Sequence, residues 1–194
     1  MDNRLEQGAE RAMSDIADRY RRLSGDFADK VAKVSPERWS APSPCEDWTA
    51  RDVVAHMVDV HGIFLGLVGR PFERTVSVDE DPLGALREAS TQVQADLDDP
   101  ARASAMFDGY FGPMSFEGAI DRFVCFDLAI HGWDLARATG LDEFIAPADV
   151  VRLSTAAEAF GDALQQSGVC GPSVDVGPDA DDQTKLLALL GRHV

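Results

Sequence analysis

The run Asp127-Leu-Ala-Ile-His131-Gly-Trp133-Asp134 sets a carboxylate, an imidazole and a second carboxylate four and three residues apart. On an α-helix that spacing brings all three onto one face, in line with Ile120, Val124 and Ala138. Phe116, Phe123 and Leu135 flank this line, whereas Arg122, Ala129 and Arg137 fall on the other side. Ionisable groups are therefore placed in the middle of an apolar stripe. Burying them without partners costs several kcal/mol each, so something must compensate them. A bound metal ion would do so, and so would a self-satisfied polar network.

Asp127 and His131 lie one helical turn apart, close enough to reach a single ion. His56, on the shoulder of another helix, is the best-placed third ligand. A lone histidine on such a stripe is more often a hydrogen-bonded core residue, but an inward Asp and His from a second helix shift the balance. Two imidazoles and one carboxylate leave a coordination position of zinc open, as a catalytic site requires. Zinc is favoured, although nickel and iron(II) accept the same ligands. Asp134, one turn beyond His131, is expected behind the ligands, orienting His131 or His56 through a hydrogen bond. His61 lies on the opposite shoulder of its helix and is not expected to bind the ion. Di-iron bundles need paired Glu-x-x-His motifs, which the chain lacks, and it has no Gly-rich phosphate loop or local Ser-His-Asp signature. Cys45 has no His or Lys beside it in sequence to lower its pKa and reads as unreactive.

Helices must carry these groups. Met13, Ile16, Tyr20, Leu23, Phe27, Val31 and Val34 recur at steps of three and four, predicting a helix over 3–34 that ends at Ser35-Pro36. The Pro- and Ser-rich segment 35–48 reads as a loop anchored by Trp39 and Trp48, with substrate stacking as the alternative role for these rings. Thr49 and Asp52 form a capping-box variant that starts a second helix, whose stripe is Val53, Met57, Val60, Phe64 and Leu67. An irregular connection over 70–82, with a short extended piece at Thr75–Val78, precedes a third helix from Pro82 to Asp98. Residues 101–114 read as a loop or poor hairpin whose aromatics pack beneath it or line a pocket mouth. Ser115 then caps the fourth helix, which ends at Thr139-Gly140. A fifth helix is expected from Pro147 to Gln166 with Gly168 beyond it, then a solvated crossing over 168–183. A short terminal helix through Leu186, Leu187, Leu189 and Leu190 closes at Gly191, leaving His193 exposed.

The 194 residues show no repeat and suit one all-α domain over 1–194. Three cysteines without a CxxC pair argue against a disulfide framework and fit a reducing cytoplasm. The charged N-terminus lacks a signal peptide's apolar run, and no 18-residue apolar segment predicts a membrane span. Asp and Glu outnumber Lys and Arg 34 to 18, a formal charge of −16. Such a chain repels phosphates, so neither nucleic acid nor an anionic membrane is an expected partner.

Two runs carry a family resemblance. Pro44-Cys45-Glu-Asp-Trp48-Thr49-Ala-Arg51-Asp52-Val-Val-Ala-His56, followed by Asp127-Leu-Ala-Ile-His131-Gly-Trp133-Asp134-Leu-Ala-Arg137-Ala-Thr-Gly140, resembles the metal-binding domain of mycothiol-dependent maleylpyruvate isomerase. The terminal Leu186-Leu-Ala-Leu-Leu-Gly191-Arg192 is similar to the end of short relatives. The resemblance implies a DinB-like up-down-down-up four-helix bundle, here with additional C-terminal helices, that is often a homodimer. It also implies a divalent metal held by His56, Asp127 and His131. The isomerase has glutamate where Asp127 stands, so this carboxylate reaches one methylene less far. The isomerase's additional C-terminal domain has no counterpart here either, so a substrate other than maleylpyruvate is expected.

The function implied is a metal-dependent transferase or isomerase, acting on a small electrophile with a small-molecule thiol, mycothiol foremost. Its thiolate, favoured by the ion, would attack an electrophilic carbon. Fold does not transmit activity, so a non-catalytic metal-binding bundle with a structural or stress-related role stands beside it. A dimerising helical protein with a metal-free polar core is the third reading.

Overall fold

The computed structural model describes residues 3–109, 112–161 and 170–194, with side chains from Asp15 onward. Four helices make the bundle: α1 (Asn3–Val31), α2 (Ala50–Leu67), α3 (Pro82–Leu97) and a long fourth helix. The fourth runs as α5 (Phe116–Ala119), a π-helical turn (Ile120–Val124) and α6 (Cys125–Thr139). Between α3 and α5 lie the single turn α4 (Pro100–Ala103) and an antiparallel hairpin. The hairpin strands are β1 (Met106–Gly109) and β2 (Gly112–Ser115), with Met106 opposite Ser115 and Gly109 opposite Gly112. Two further helices follow, α7 (Pro147–Phe160) and α8 (Asp182–Leu189). Among the described residues no helix is long and apolar enough to cross a membrane.

The apolar periods decide the packing. α1 buries Tyr20, Leu23, Phe27 and Val31, and α2 buries Val53, Met57 and Val60. α1 packs on α3 and α6, and α2 packs on the same two helices, which closes the bundle around one core. A second apolar cluster joins Phe126, Ile130 and Trp133 of α6 to Val150 and Leu153 of α7 and to Leu186, Leu187 and Leu190. α6 is therefore a central helix with a core on either side.

This position corrects the single-stripe reading of residues 116–138. Ala129, expected on the outer face, packs against both clusters. His131 and Asp134 are buried as the stripe requires, but Asp127 lies at the rim, its side chain 28% exposed. A π turn at Ile120–Val124, where the Cys125 N–H bonds the Ile120 carbonyl five residues back, also interrupts the expected regular helix. The connection at Thr75–Val78 is irregular, as expected, and pairs with no strand; the Glu88 carboxylate accepts the Thr75 and Val76 N–H groups instead.

Local chemistry sets the ends that matter for the site. Thr49 and Asp52 form the reciprocal capping box expected for α2. Ser115 caps α5 by accepting the Gly118 N–H, and Gly140, at φ 75°, closes α6 in the left-handed region. α7 starts at Pro147 as expected, while its predicted end at Gln166 and Gly168 lies outside the described residues, as do Tyr110 and Phe111 and the side chain of Met13. The chain after α8 turns at Gly191, φ 80°, where a Cβ would meet the Gly171 backbone at 2.8 Å. Only glycine fits that close, left-handed turn. Arg192, the next residue, is swung back toward α6 by it.

Candidate metal centre

α2 and α6 bring His56, Asp127 and His131 together. One ligand atom from each lies within 4.8 Å of the other two. His56 Nε2 stands 3.7 Å from Asp127 Oδ2, and the two imidazole rings are 4.8 Å apart at 72°. At 3.7 Å the first pair is too long for a hydrogen bond. Ligands about 2.0–2.1 Å from one tetrahedral ion sit only slightly closer than this. Among the described residues neither His56 nor Asp127 hydrogen-bonds another side chain, so this donor set fits a divalent ion. His131 is different: its Nδ1 is 2.9 Å from Asp134 Oδ2. Donating Nδ1–H to that carboxylate leaves the Nε2 lone pair for an ion.

The loop before α2 covers the rings. Trp48 N–H closes a turn on the Cys45 carbonyl at 3.1 Å, with Asp47 in the left-handed region at φ 61°. Asp tolerates that conformation better than most residues. The turn lays the Trp48 indole 4.8 Å from the His56 ring and 5.8 Å from the His131 ring, stacked on the latter. Trp48 thus packs against the core, as an anchor should, and also walls the candidate ligands.

The same turn brings Cys45 to Asp134, with Sγ 3.4 Å from Oδ2 and 3.9 Å from His131 Nδ1. Arg192 completes the cluster: Nε and Nη2 donate to the two Asp134 oxygens at 3.2 and 2.8 Å, and Nη2 lies 3.7 Å from Cys45 Sγ. Burial raises the Asp134 carboxyl, but hydrogen bonds from His131 and Arg192 outweigh it and hold the pKa at about 2. For Arg192, burial works against the charge, yet Asp134 prevails and raises its pKa. Burial and then the Asp134 charge push the Cys45 thiol up to about 12, against the opposing pull of Arg192. Cys45 is therefore a thiol donor and not a thiolate. The sequence reading of it as unreactive agrees in outcome. Its stated reason needs correcting, because a histidine and an arginine do stand beside Cys45 in space.

His61 is fully buried away from this ligand set, with Nδ1 bonded to the Met57 carbonyl and Nε2 without a partner among the described residues. Burial lowers its pKa to about 4, although the Met57 carbonyl opposes the shift. The ring is neutral in the folded state, so its contribution to stability is complete above the unfolded value of 6.5. As pH falls from 6.5 toward 4 only the unfolded chain takes up the proton, and stability falls by about 1.4 kcal/mol per pH unit. Wild type is expected to lose about 2 kcal/mol more than His61→Leu between pH 7 and pH 5 in urea unfolding. Equal losses in the two proteins would refute the assignment.

The family model described as the mycothiol maleylpyruvate isomerase N-terminal domain matches residues 20–136. The chain belongs to this family. The match spans His56, Asp127, His131 and Asp134 and stops short of Arg192. Two relatives, both described as uncharacterized proteins of Mycobacterium tuberculosis (strains CDC 1551 / Oshkosh and ATCC 25618 / H37Rv), are each 28% identical over 180 residues. Those alignments cover 90% of this chain and 96% of each relative, so the likeness reaches past the family domain through α7. No solved structure matches the chain significantly. The all-α bundle described above is consistent with the DinB-like fold expected of the mycothiol maleylpyruvate isomerase N-terminal domain family.

Arg192 was missed in the sequence as the partner of Asp134, although a signal was present: a carboxylate on an apolar stripe needs a counter-charge, and Arg192 directly follows a Leu-rich helix and a glycine. Trp48 reads in the sequence as a loop anchor with substrate stacking as the alternative, and its place against the His56 and His131 rings was not anticipated.

Proposed function

We propose that this chain is a metal-dependent enzyme that transfers or isomerises a small electrophile with a low-molecular-weight thiol, mycothiol being the thiol the family name favours. The observation that carries the reading is the convergence of His56, Asp127 and His131 on one point from two helices. His56, Asp127 and His131 would hold the ion. Zinc suits two imidazoles and one carboxylate, and nickel or iron(II) would fit them as well. When bound, a divalent ion supplies Lewis-acid character that favours the thiolate form of a thiol.

The protein's own groups support the rest. His56 and Asp127 are 29% and 28% exposed, so the donor set is reachable by a small molecule. Trp48 shields the ring faces from water on one side. Burial pushes the Cys45 and Cys125 thiols up to about 12 and raises that of Cys170 as well, which favours an external thiol for the chemistry. The shorter reach of Asp127, relative to the glutamate of the isomerase, argues for an electrophile other than maleylpyruvate. A cytoplasmic homodimer is the setting this reading assumes.

The buried Asp134–Arg192–His131 network favours a second reading, in which the bundle binds metal only to support its fold. An electrophile screen with mycothiol, with and without chelator, separates the two. Chelator-sensitive conjugation supports the enzyme, and metal content without turnover supports the structural role. In the metal assay, alanine at His56, Asp127 or His131 is expected to abolish stoichiometric zinc, while His61→Ala keeps it. Loss of zinc in His61→Ala but not in His56→Ala would show that the third ligand is misassigned.

A further inference from the structure

We propose that Arg192 is a positioning residue for the metal site, so that ion binding and docking of the C-terminal segment form one coupled equilibrium. The inference rests on the metal reading above and extends it to a residue outside the matched family domain.

Asp134 is completely buried and Arg192 is 6% exposed. Each carboxylate oxygen accepts from Arg192, and Oδ2 also accepts from His131 at 2.9 Å and from the Cys45 thiol at 3.4 Å. Donors from α6, the loop before α2 and the C-terminus thus fix the carboxylate plane. An imidazole turns about its side-chain bonds unless one nitrogen is held. Asp134 holds Nδ1 of His131, and Arg192 holds Asp134. The orientation of the His131 ring beside His56 and Asp127 therefore depends on a guanidinium 58 residues downstream of the carboxylate. Lysine offers a point charge without the planar fork that meets both oxygens.

Arg192 is itself placed by the end of α8. Its backbone N–H bonds the Leu187 carbonyl at 2.9 Å, closing the helix through Gly191, and Nη1 bonds the Leu190 carbonyl at 2.8 Å. The guanidinium has no freedom to meet Asp134 unless this helix end is docked against α6 and α7. Linkage makes the effect reciprocal. Whatever docking does for ion affinity, the ion does for docking.

Zinc alone serves as the probe, on the full chain. Zinc affinity is measured by competition with a chromophoric chelator for wild type, Arg192→Lys and Leu86→Ala. The last variant loosens the main core on α3 without touching the α6–α7–α8 cluster or the Arg192–Asp134 contact. Arg192→Lys is expected to weaken zinc about 10–100-fold, the usual effect of losing a group behind a ligand, while Leu86→Ala stays near wild type. Hydrogen exchange of Leu190–Val194 should slow on zinc addition in wild type and change less in Arg192→Lys. Wild-type zinc affinity in Arg192→Lys, or equal weakening in Leu86→Ala, overturns the proposal and leaves the metal reading intact. If wild type binds no zinc, both fall. Should Arg192→Lys not fold, wild-type exchange decides: unchanged rates with zinc overturn the coupling.

Discussion

Asp134→Leu is expected to lower stability by about 3–5 kcal/mol in the absence of any metal, because it strands a buried guanidinium and the Nδ1–H of His131. Arg192→Met strands the carboxylate and should cost a similar amount. Replacing both partners with apolar residues, Asp134→Leu with Arg192→Met, removes both desolvation penalties together. The double variant is therefore expected to recover most of the loss, which makes the pair strongly non-additive. Urea unfolding in chelator measures all four proteins. Additive losses would mean that the two groups do not share one buried contact. Acid gives a milder version of the same perturbation. The Asp134 carboxyl is depressed from 3.8 to about 2, so its contribution is complete above pH 3.8 and is lost as pH falls through about 2. That shift is worth about 2 kcal/mol, less than the deletion, because a protonated carboxyl keeps its oxygens beside Arg192. The window lies below that of His61, so acid unfolding separates them.

What could be read from the sequence was what short-range geometry determines. The capping box of Thr49 and Asp52, the stop at Gly140 and the shared face of His131 and Asp134 all follow from spacings within one or two turns. The helical bundle followed from repeated apolar periods. The parts that escaped depend on packing between distant segments. Arg192 meets Asp134 across 58 residues, and Cys45 meets it across 89. No local pattern states that α6 has cores on both sides, so Asp127 was expected in the middle of a stripe and stands at its rim. The π turn is similarly silent, since Ile120, Phe123 and Val124 suit a regular helix equally well. The choice between an ion and a self-satisfied network dissolves in part once packing is seen. The network exists at Asp134, behind His131. His56 and Asp127, in front of it, have no such partners among the described residues.

Chelation is therefore expected to lower the melting temperature of wild type and to leave Asp127→Leu unchanged. An ion that binds only the folded state stabilises it by about 4 kcal/mol at 1,000 times its dissociation constant. For a chain of this size that corresponds to a shift on the order of 10 °C. Without the ion, His56 and Asp127 are open enough for water to serve them, so Asp127→Leu should be neutral or slightly stabilising. Asp134 stands in the opposite position, since water does not reach it and its partners are built in. Differential scanning of wild type and Asp127→Leu, each with zinc and with chelator, reads four corners of one cycle. The metal reading requires that only wild type with zinc stands apart. A structural network at Asp127 predicts another pattern, with no effect of chelator and several kcal/mol lost whenever Asp127 is replaced. Strong destabilisation of metal-free Asp127→Leu would make this carboxylate part of the scaffold, and an enzyme would lose the open ligand on which its chemistry depends.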